Sequence, residues 1–174
     1  LVGSEMCIRD RSTIVDLTET PPRLLRPGGI TLEQLESVLG RVEVDQAVTR
    51  LMSAGEKPRA PGMKYRHYAP KAPVTVVAGP PERTAEHIAR SLTPGDGVIC
   101  FDEFAGEFPG CQIQRMGPAG DKSAQARHIF DALRAFDHTE VPRIWAQCPD
   151  PSGLGLAINN RLNKAAGFHI VEVK

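Results

Sequence analysis

Hydrophobic and polar positions in the C-terminal part of the chain follow two periodicities in turn. Compact apolar runs predict buried strands, and apolar side chains three or four positions apart predict helices between them. The predicted strands are Val74–Ala78, Val98–Phe101, Gln112–Arg115, Arg143–Gln147 and Ile170–Val173. The predicted helices begin at Pro80, Asp121 and Gly153, and the last two end at His138 and Ala166. This alternation indicates an α/β, Rossmann-like domain over 74–174, with a parallel or mixed sheet and helices on both faces.

A smaller pattern precedes this domain. Ser12–Leu17 and Arg23–Arg26 predict two short strands, the first because β-branched residues lie at its centre. Thr31 is suited to begin a helix, since Gln34 three positions later can complete a capping box. Gly40 ends this helix, whose apolar stripe consists of Leu32, Leu35, Val38 and Leu39. A strand, a strand and a helix of this size cannot bury a core of their own.

Two further stretches predict little regular structure. Val42–Ala60 is poor in large apolar residues and ends in a run that contains glycine and proline, so we interpret 45–73 as a linker. Leu1–Arg11 lacks the charged and long apolar regions of a secretory signal and resembles translated sequencing-adapter read-through. We therefore expect 1–11 to be a non-native leader and the native sequence to begin near Ser12, in the middle of a domain.

Composition restricts the class of protein. Of the 174 residues, 41% are hydrophobic and 24% are charged, which is typical of a soluble globular protein. The formal net charge of zero provides no global field for nucleic acid or an acidic membrane. No apolar run approaches the ~20 residues of a membrane span. No two cysteines have Cys-x-x-Cys spacing, so we expect reduced thiols in a cytoplasmic protein; the four are Cys7, Cys100, Cys111 and Cys148.

Pro61–Pro70 concentrates much of the polar chemistry of the chain. It reads Pro-Gly-Met-Lys-Tyr-Arg-His-Tyr-Ala-Pro, with two cations, two phenols and an imidazole in consecutive positions. The bracketing prolines disfavour a helix and bias the residues before them toward extended backbone. Arginine offers a planar fork and lysine a point charge for phosphate, while tyrosine offers a stacking face. Such a segment could hold a nucleotide, although its composition is equally compatible with a solvated linker.

Several stretches resemble one enzyme family. Pro61–Pro70 resembles the interdomain linker signature of two-domain L-threonylcarbamoyladenylate synthases, whose catalytic domain is YrdC-like. Ser-Thr-Ile-Val-Asp at Ser12–Asp16, followed by Leu-Arg-Pro-Gly at Leu25–Gly28, resembles the end of that catalytic domain. Gly153–Ala166 is similar to the closing helix of the family's C-terminal domain. The resemblance implies that 12–44 is the remnant of a YrdC-like α/β domain whose main catalytic motifs are absent from this sequence.

The resemblance also implies an activity. The family combines L-threonine, bicarbonate and ATP, with Mg²⁺ on the ATP phosphates, into L-threonylcarbamoyl-AMP and pyrophosphate. This nucleotidyltransferase product feeds the threonylcarbamoyladenosine modification of tRNA. Attack of a threonine carbamate oxygen on the α-phosphate requires positioning and charge neutralisation by the protein. Because the main catalytic motifs are absent, we expect the 174-residue chain itself to be inactive.

The resemblance implies binding roles, but it identifies no catalytic residue or metal ligand in this chain. It places Ser12 at the threonine and nucleotide site and Arg26 in contact with ATP. Tyr65 would reach the nucleotide from the linker, where the supporting residues are Lys64, Arg66 and His67. We expect Pro61–Pro70 to be a mobile lid that becomes ordered over the cleft when ATP and threonine bind. Composition alone favours a turn or cap role for Ser12 and a surface position for Arg26.

The sequence leaves other interpretations open for the C-terminal domain. It could be a non-catalytic regulatory module that docks tRNA or proteins of the modification pathway. A dinucleotide site is disfavoured, because the Gly-Leu-Gly of residues 153–155 is followed by Ile158 where the fingerprint needs a third glycine. Asn160 and Arg161 are candidates for an interface or for contact with the linker, although a solvated helix face is favoured for both. Trp145 lies inside a predicted strand and is expected in the core.

Overall fold

A computed structural model describes residues 12–53, 55–60 and 69–174. These residues form a three-stranded and a five-stranded β-sheet, each with its own helices. The predicted leader at Leu1–Arg11 lies outside the described residues. The same holds for most of the predicted lid and for four predicted binding residues, which are Lys64, Tyr65, Arg66 and His67.

The N-terminal part of the chain, which we call the small unit, is built on a sheet of order β1-β2-β3. β1 (Ile14–Asp16) pairs antiparallel with β2 (Arg23–Arg26), and β2 pairs in parallel with β3 (Glu43–Val44). The helices of the small unit are α1 (Leu32–Leu39) and α2 (Gln46–Thr49). The first strand is therefore shorter than predicted, while the second has the predicted bounds.

Local sequence explains why α1 forms. Thr31 Oγ1 accepts a hydrogen bond from the Gln34 backbone N–H at 3.3 Å, and the Thr31 N–H donates to Gln34 Oε1 at 2.9 Å. This is the predicted capping box, and Gly40 follows the last turn. The apolar stripe has no core to cover among the described residues, since α1 has no buried residue and the side chain of Val38 is 82% exposed.

Part of Val42–Ala60, a stretch that is poor in large apolar residues and overlaps the start of the predicted linker 45–73, is regular structure. It contains β3 and α2, and Asp45 caps α2 by accepting a hydrogen bond from the Ala47 N–H at 2.9 Å. Val42, Ala47 and Val48 are buried. Small apolar side chains are sufficient here because α2 packs closely against β2 and a helix of the larger sheet.

The rest of the described chain, the large unit, is built on five strands whose pairings are all parallel. The strands are β4 (Val74–Ala78), β5 (Gly97–Cys100), β6 (Gln112–Arg115), β7 (Ile144–Cys148) and β8 (Ile170–Glu172). Their order across the sheet is β6-β5-β7-β4-β8. The connecting helices are α3 (Pro81–Ser91), α4 (Lys122–Ala135) and α5 (Gly155–Ala165), with 3₁₀ turns at Asp102–Glu107 and Phe136–His138. The predicted α/β architecture is confirmed.

Successive side chains along a strand point to opposite faces of the sheet, so neighbouring positions pack into two separate cores. Val76 and Ile99 face one core, which α4 and α5 complete with Leu133 and Leu162. The neighbouring positions Val77 and Val98 face a second core, which α3 completes with Ala85 and Ile88. The sheet is thus covered on both faces, α3 lying on one face and α4 and α5 on the other.

A polar cluster lies beside the second core. Asp96 is fully buried, and its carboxylate accepts hydrogen bonds from the Thr93 N–H and from Arg143 Nε, both at 2.9 Å. Trp145 Nε1 donates to the same carboxylate at 3.4 Å, and the Arg143 guanidinium lies 5.4 Å from the Trp145 ring centroid. Trp145, expected in the core, therefore packs against the edge of the second core and is half-buried, with its indole N–H paired to Asp96.

Candidate functional site

The structure brings together two of the residues that the sequence predicts for substrate binding. Arg26 Nε donates a hydrogen bond to the backbone oxygen of Ser12 at 3.2 Å, and Arg26 Nη2 donates to Ser12 Oγ. The two residues meet because β1 and β2 are antiparallel, with Ile14 opposite Arg26. Ser12 is exposed and Arg26 is half-buried, so a hydroxyl and a guanidinium lie side by side at the surface of the small unit.

A neighbouring threonine holds this corner in place. Thr13 Oγ1 donates a hydrogen bond to the Ile30 carbonyl at 2.9 Å and accepts one from the Ile30 N–H at 3.0 Å. These bonds attach the start of β1 to the loop that follows β2. They therefore restrict the position of Ser12, the residue that precedes Thr13, relative to Arg26.

A second cation from the large unit contributes to the field at this corner. Burial lowers the pKa of Lys164, and the positive charge of Arg26 lowers it further. The charge of Arg26 therefore acts on Lys164, which brings a cation of the large unit to the same region as a cation of the small unit. Nothing in the sequence pattern of α5 distinguishes Lys164 from an ordinary surface lysine, so its position near this corner is not predictable from sequence.

Two hydrogen bonds hold the large unit beside the small one. Asn160 Nδ2 donates to the Val48 carbonyl oxygen at 2.8 Å, and Asn160 is buried. The Gly153 N–H donates to Glu33 Oε1 at 2.9 Å, and this bond is the largest cause of the lowered pKa of Glu33. The favoured assignment of Asn160 to a solvated helix face is therefore wrong, and its interface alternative is correct, because the turn of α5 directs this side chain toward α2.

A cavity of about 240 Å³ lies where the two units meet. Gly28 and Gly29, which follow Arg26 closely in the chain, form one side, and α4 and α5 form the other. Arg127 and Arg161 both line the cavity, and Arg161 is half-buried. Two guanidinium groups at one small cavity suit an anion such as a phosphate or carboxylate.

Metal clusters and membrane-spanning helices are absent from the described part of the chain. No group of three or more His, Cys, Asp or Glu side chains there could hold a metal ion. Cys100, Cys111 and Cys148 are free thiols. Burial raises the pKa of Cys100 and of Cys148 to about 12, so neither is a reactive thiolate near neutral pH. None of the helices in residues 12–53, 55–60 and 69–174 is long and apolar enough to cross a membrane.

Comparison with known proteins identifies the family. Residues 30–167 match the family model described as threonylcarbamoyl-AMP synthase, C-terminal domain. The chain belongs to this family. A threonylcarbamoyl-AMP synthase of Bacillus subtilis is 41% identical over 172 residues, covering 97% of this chain and 49% of the relative. Another, from Pyrococcus abyssi, is 41% identical over 175 residues, covering 98% of this chain and 50% of the relative.

Solved structures of the family agree with this assignment. The crystal structure of P. abyssi Sua5 complexed with L-threonine is 37% identical with a TM-score of 0.71, over 94% of this chain and 47% of that one. A variant of the same protein gives a TM-score of 0.77 at 41% identity, over 93% of this chain and 46% of that one. The chain spans about half the length of the curated relatives it matches. These findings confirm the predicted family and fold and do not support a regulatory or tRNA-docking module as the alternative.

Proposed function

We propose that the protein containing this chain makes L-threonylcarbamoyl-AMP and pyrophosphate from L-threonine, bicarbonate and ATP. The observation that carries the proposal is the family match over residues 30–167, together with relatives that are named for this activity. The P. abyssi structure with L-threonine supports threonine as one substrate. The product would serve threonylcarbamoyladenosine modification of tRNA, in the cytoplasm.

Arg26 would act on the nucleotide. Its bonds to Ser12 use Nε and Nη2, so the planar guanidinium is held in one orientation with Nη1 directed elsewhere. Nη1 would donate to an ATP phosphate, and Lys164 would add to the positive field there. Neutralising the phosphates favours attack of the threonine carbamate on the α-phosphorus and departure of pyrophosphate. Mg²⁺ would enter with ATP as part of the substrate.

Ser12 and the linker residues would complete the binding of substrates. The Ser12 hydroxyl, held in place beside Arg26, would face the threonine and the nucleotide. Tyr65 would place its ring or hydroxyl against the nucleotide, with support from Lys64, Arg66 and His67. These four residues lie outside the described part of the chain, and their roles rest on the resemblance of Pro61–Pro70 to the linker signature of the family.

The test measures threonine-dependent pyrophosphate release in a protein that contains this chain and has the full length of its relatives. We expect Arg26→Ala to raise the KM for ATP about ten- to a hundred-fold, as the loss of one charge-assisted hydrogen bond predicts. The KM for ATP of the Arg26→Lys variant should lie between the values of the wild type and of Arg26→Ala. Arg90→Ala is the matched control, since the Arg90 side chain is 81% exposed on α3.

Each part of the proposal can fail separately in this experiment. A folded full-length protein that releases no pyrophosphate in response to threonine would contradict the activity. Normal kinetics in the Arg26→Ala variant would contradict the contact with ATP while leaving the activity in place. Pyrophosphate release by the 174-residue chain alone would contradict the expectation that this chain is inactive.

A further inference from the structure

The order of the strands creates a crevice at one edge of the large sheet. β4 and β7 are neighbours, paired from Val74 with Ile144 to Ala78 with Cys148. The chain leaves β4 toward α3 on one face of the sheet and leaves β7 toward α5 on the other face. Where adjacent parallel strands lead to opposite faces, a crevice opens beyond their carboxyl ends, and open α/β sheets bind ligands at this place.

The crevice has the size and walls of a small-molecule site. Its volume is about 570 Å³, within the roughly 300–1,000 Å³ that is common for ligand pockets. Rings supply much of its wall, and rigid proline faces suit a flat ligand, while the Phe101 ring beneath them is only 1% exposed. The ring-bearing residues are Pro80, Pro81, Phe101, Pro149 and Pro151.

Two asparagines provide polar groups that the described chain does not use. Asn159 and Asn163 lie one turn apart on α5, and both line the crevice. The Oδ1 atom of each is buried, and neither accepts a hydrogen bond within the described residues. Buried polar atoms are normally paired, so these two amides are suited to a ligand that supplies the missing partners. A carboxamide both donates and accepts, as the edge of a nucleobase does.

The charges around the crevice argue against a phosphate. Asp150 and Glu172 line it, while no lysine or arginine is among its described lining residues. The nearby Lys122 is engaged by Asp150, with Nζ at 2.7 Å from Oδ2. The helix that begins at the crevice, α3, starts at Pro81 after Pro80, and neither residue has an N–H to offer an anion.

We propose that this crevice binds a purine nucleoside that carries no phosphate. The base lies against the proline rings, and its ring nitrogen and amino group bond to Asn159 and Asn163 in the way that asparagine recognises adenine. The carboxylate of Glu172 selects against nucleotides, since the charge of Asp150 is balanced by Lys122. The site is independent of the substrate site at Arg26 and does not rest on the proposed enzymatic function.

The test uses the 174-residue chain and isothermal titration with adenosine and with AMP. We expect saturable binding of adenosine and binding of AMP that is at least about tenfold weaker. Asn159→Leu and Asn163→Leu should each weaken adenosine binding about tenfold, since each removes a hydrogen bond to the base. Gln112→Leu, at an exposed position on the edge strand β6, is the control and should leave binding unchanged.

Further readouts separate a binding role from a structural one. The thermal midpoints of the two leucine variants should not fall, because each substitution removes a buried oxygen that has no partner. Glu172→Gln should reduce the difference in binding affinity between adenosine and AMP, because it removes a negative charge from the crevice. The proposal is overturned by absence of saturable adenosine binding, by AMP binding as tightly as adenosine, or by unchanged affinity in both asparagine variants.

Discussion

At the scale of single residues, the buried carboxylate of Asp96 organises one edge of the large unit. It joins Thr93, Arg143 and Trp145, which come from a turn and from the start of β7. A buried carboxylate with several donors stabilises a fold while it stays ionised, and its removal leaves those donors unpaired. The sequence offers no signal that Arg143 and Trp145 join Asp96, because they lie 47 and 49 positions away from it.

We therefore predict that Asp96→Asn lowers the free energy of unfolding by about 2–3 kcal/mol, since the amide turns an N–H toward groups that are already donors. Chemical denaturation at neutral pH measures the effect. The matched control is Asp131→Asn at an exposed position of α4, which should change stability by less than about 0.5 kcal/mol. Equal effects of the two substitutions would contradict the role assigned to Asp96.

The same network predicts a dependence on pH. Burial raises the pKa of Asp96, but hydrogen bonds from Thr93 and Arg143 and the Arg143 charge outweigh burial, so the pKa lies below its usual value of 3.8. A carboxyl whose pKa is lowered by folding contributes stability above its unfolded pKa and loses it as pH falls through the folded pKa. The difference between wild type and Asp96→Asn should therefore be constant above about pH 5 and shrink in more acidic solution.

At the scale of elements, the predicted lid Pro61–Pro70 remains a prediction from sequence, since residues 61–68 lie outside the described chain. We expect trypsin to cut the full-length protein rapidly after Lys64 and Arg66, and slowly once ATP and threonine are bound. A bond from either cation to phosphate would contribute about 1.5–3 kcal/mol, enough to shift an open–closed equilibrium about ten- to a hundred-fold.

Two comparisons make the lid test specific. Cleavage after Arg90, within α3, serves as the internal control and should not depend on substrates. Tyr65→Ala should weaken ATP binding and remove much of the protection while leaving thermal unfolding nearly unchanged. If cleavage after Lys64 and Arg66 proceeds equally with and without substrates, the segment is a linker and not a lid.

At the scale of the whole molecule, the packing of the small unit depends on contacts with the large unit. Its helix α1 carries an apolar face that has no buried residue among the described residues. α2, in contrast, packs against α5 of the large unit, where Asn160 donates to the Val48 carbonyl. The hydrogen bonds of Asn160 and Glu33 therefore fix how Arg26 is presented next to Lys164.

We predict that Asn160→Ala weakens this docking by about 1–3 kcal/mol, because the Val48 carbonyl loses its partner in a buried position. Hydrogen exchange should become faster at the amides of β3 and α2, which depend on the docked small unit. The amides of β5 and β7, in the centre of the large sheet, should keep their protection. A uniform increase in exchange rate throughout the protein would indicate global destabilisation and contradict a docking role. The control is Gln112→Ala, which removes an amide side chain at an exposed position and should leave the exchange rates unchanged.

Much of the fold could be predicted from the sequence because its signals are local. β-branched runs, the Thr31 capping box and the apolar stripe of α4 each depend on neighbours within a few positions. The alternation of strands and helices then implied a parallel sheet with two covered faces, which the structure confirms. The resemblance of Pro61–Pro70 and Ser12–Asp16 to family signatures was likewise sufficient to indicate the family.

The tertiary structure alone decided which side chains meet. Nothing in a helical repeat distinguishes Asn160, which pairs with Val48 across 112 positions, from Asn159 and Asn163. These two line the crevice, and their Oδ1 atoms have no partner among the described residues. The strand order placed β4 beside β7 and so created that crevice, and the docking of α5 placed Lys164 near Arg26. Local sequence sets backbone conformation through nearby sterics and hydrogen bonds, whereas these sites depend on packing between segments far apart in the chain.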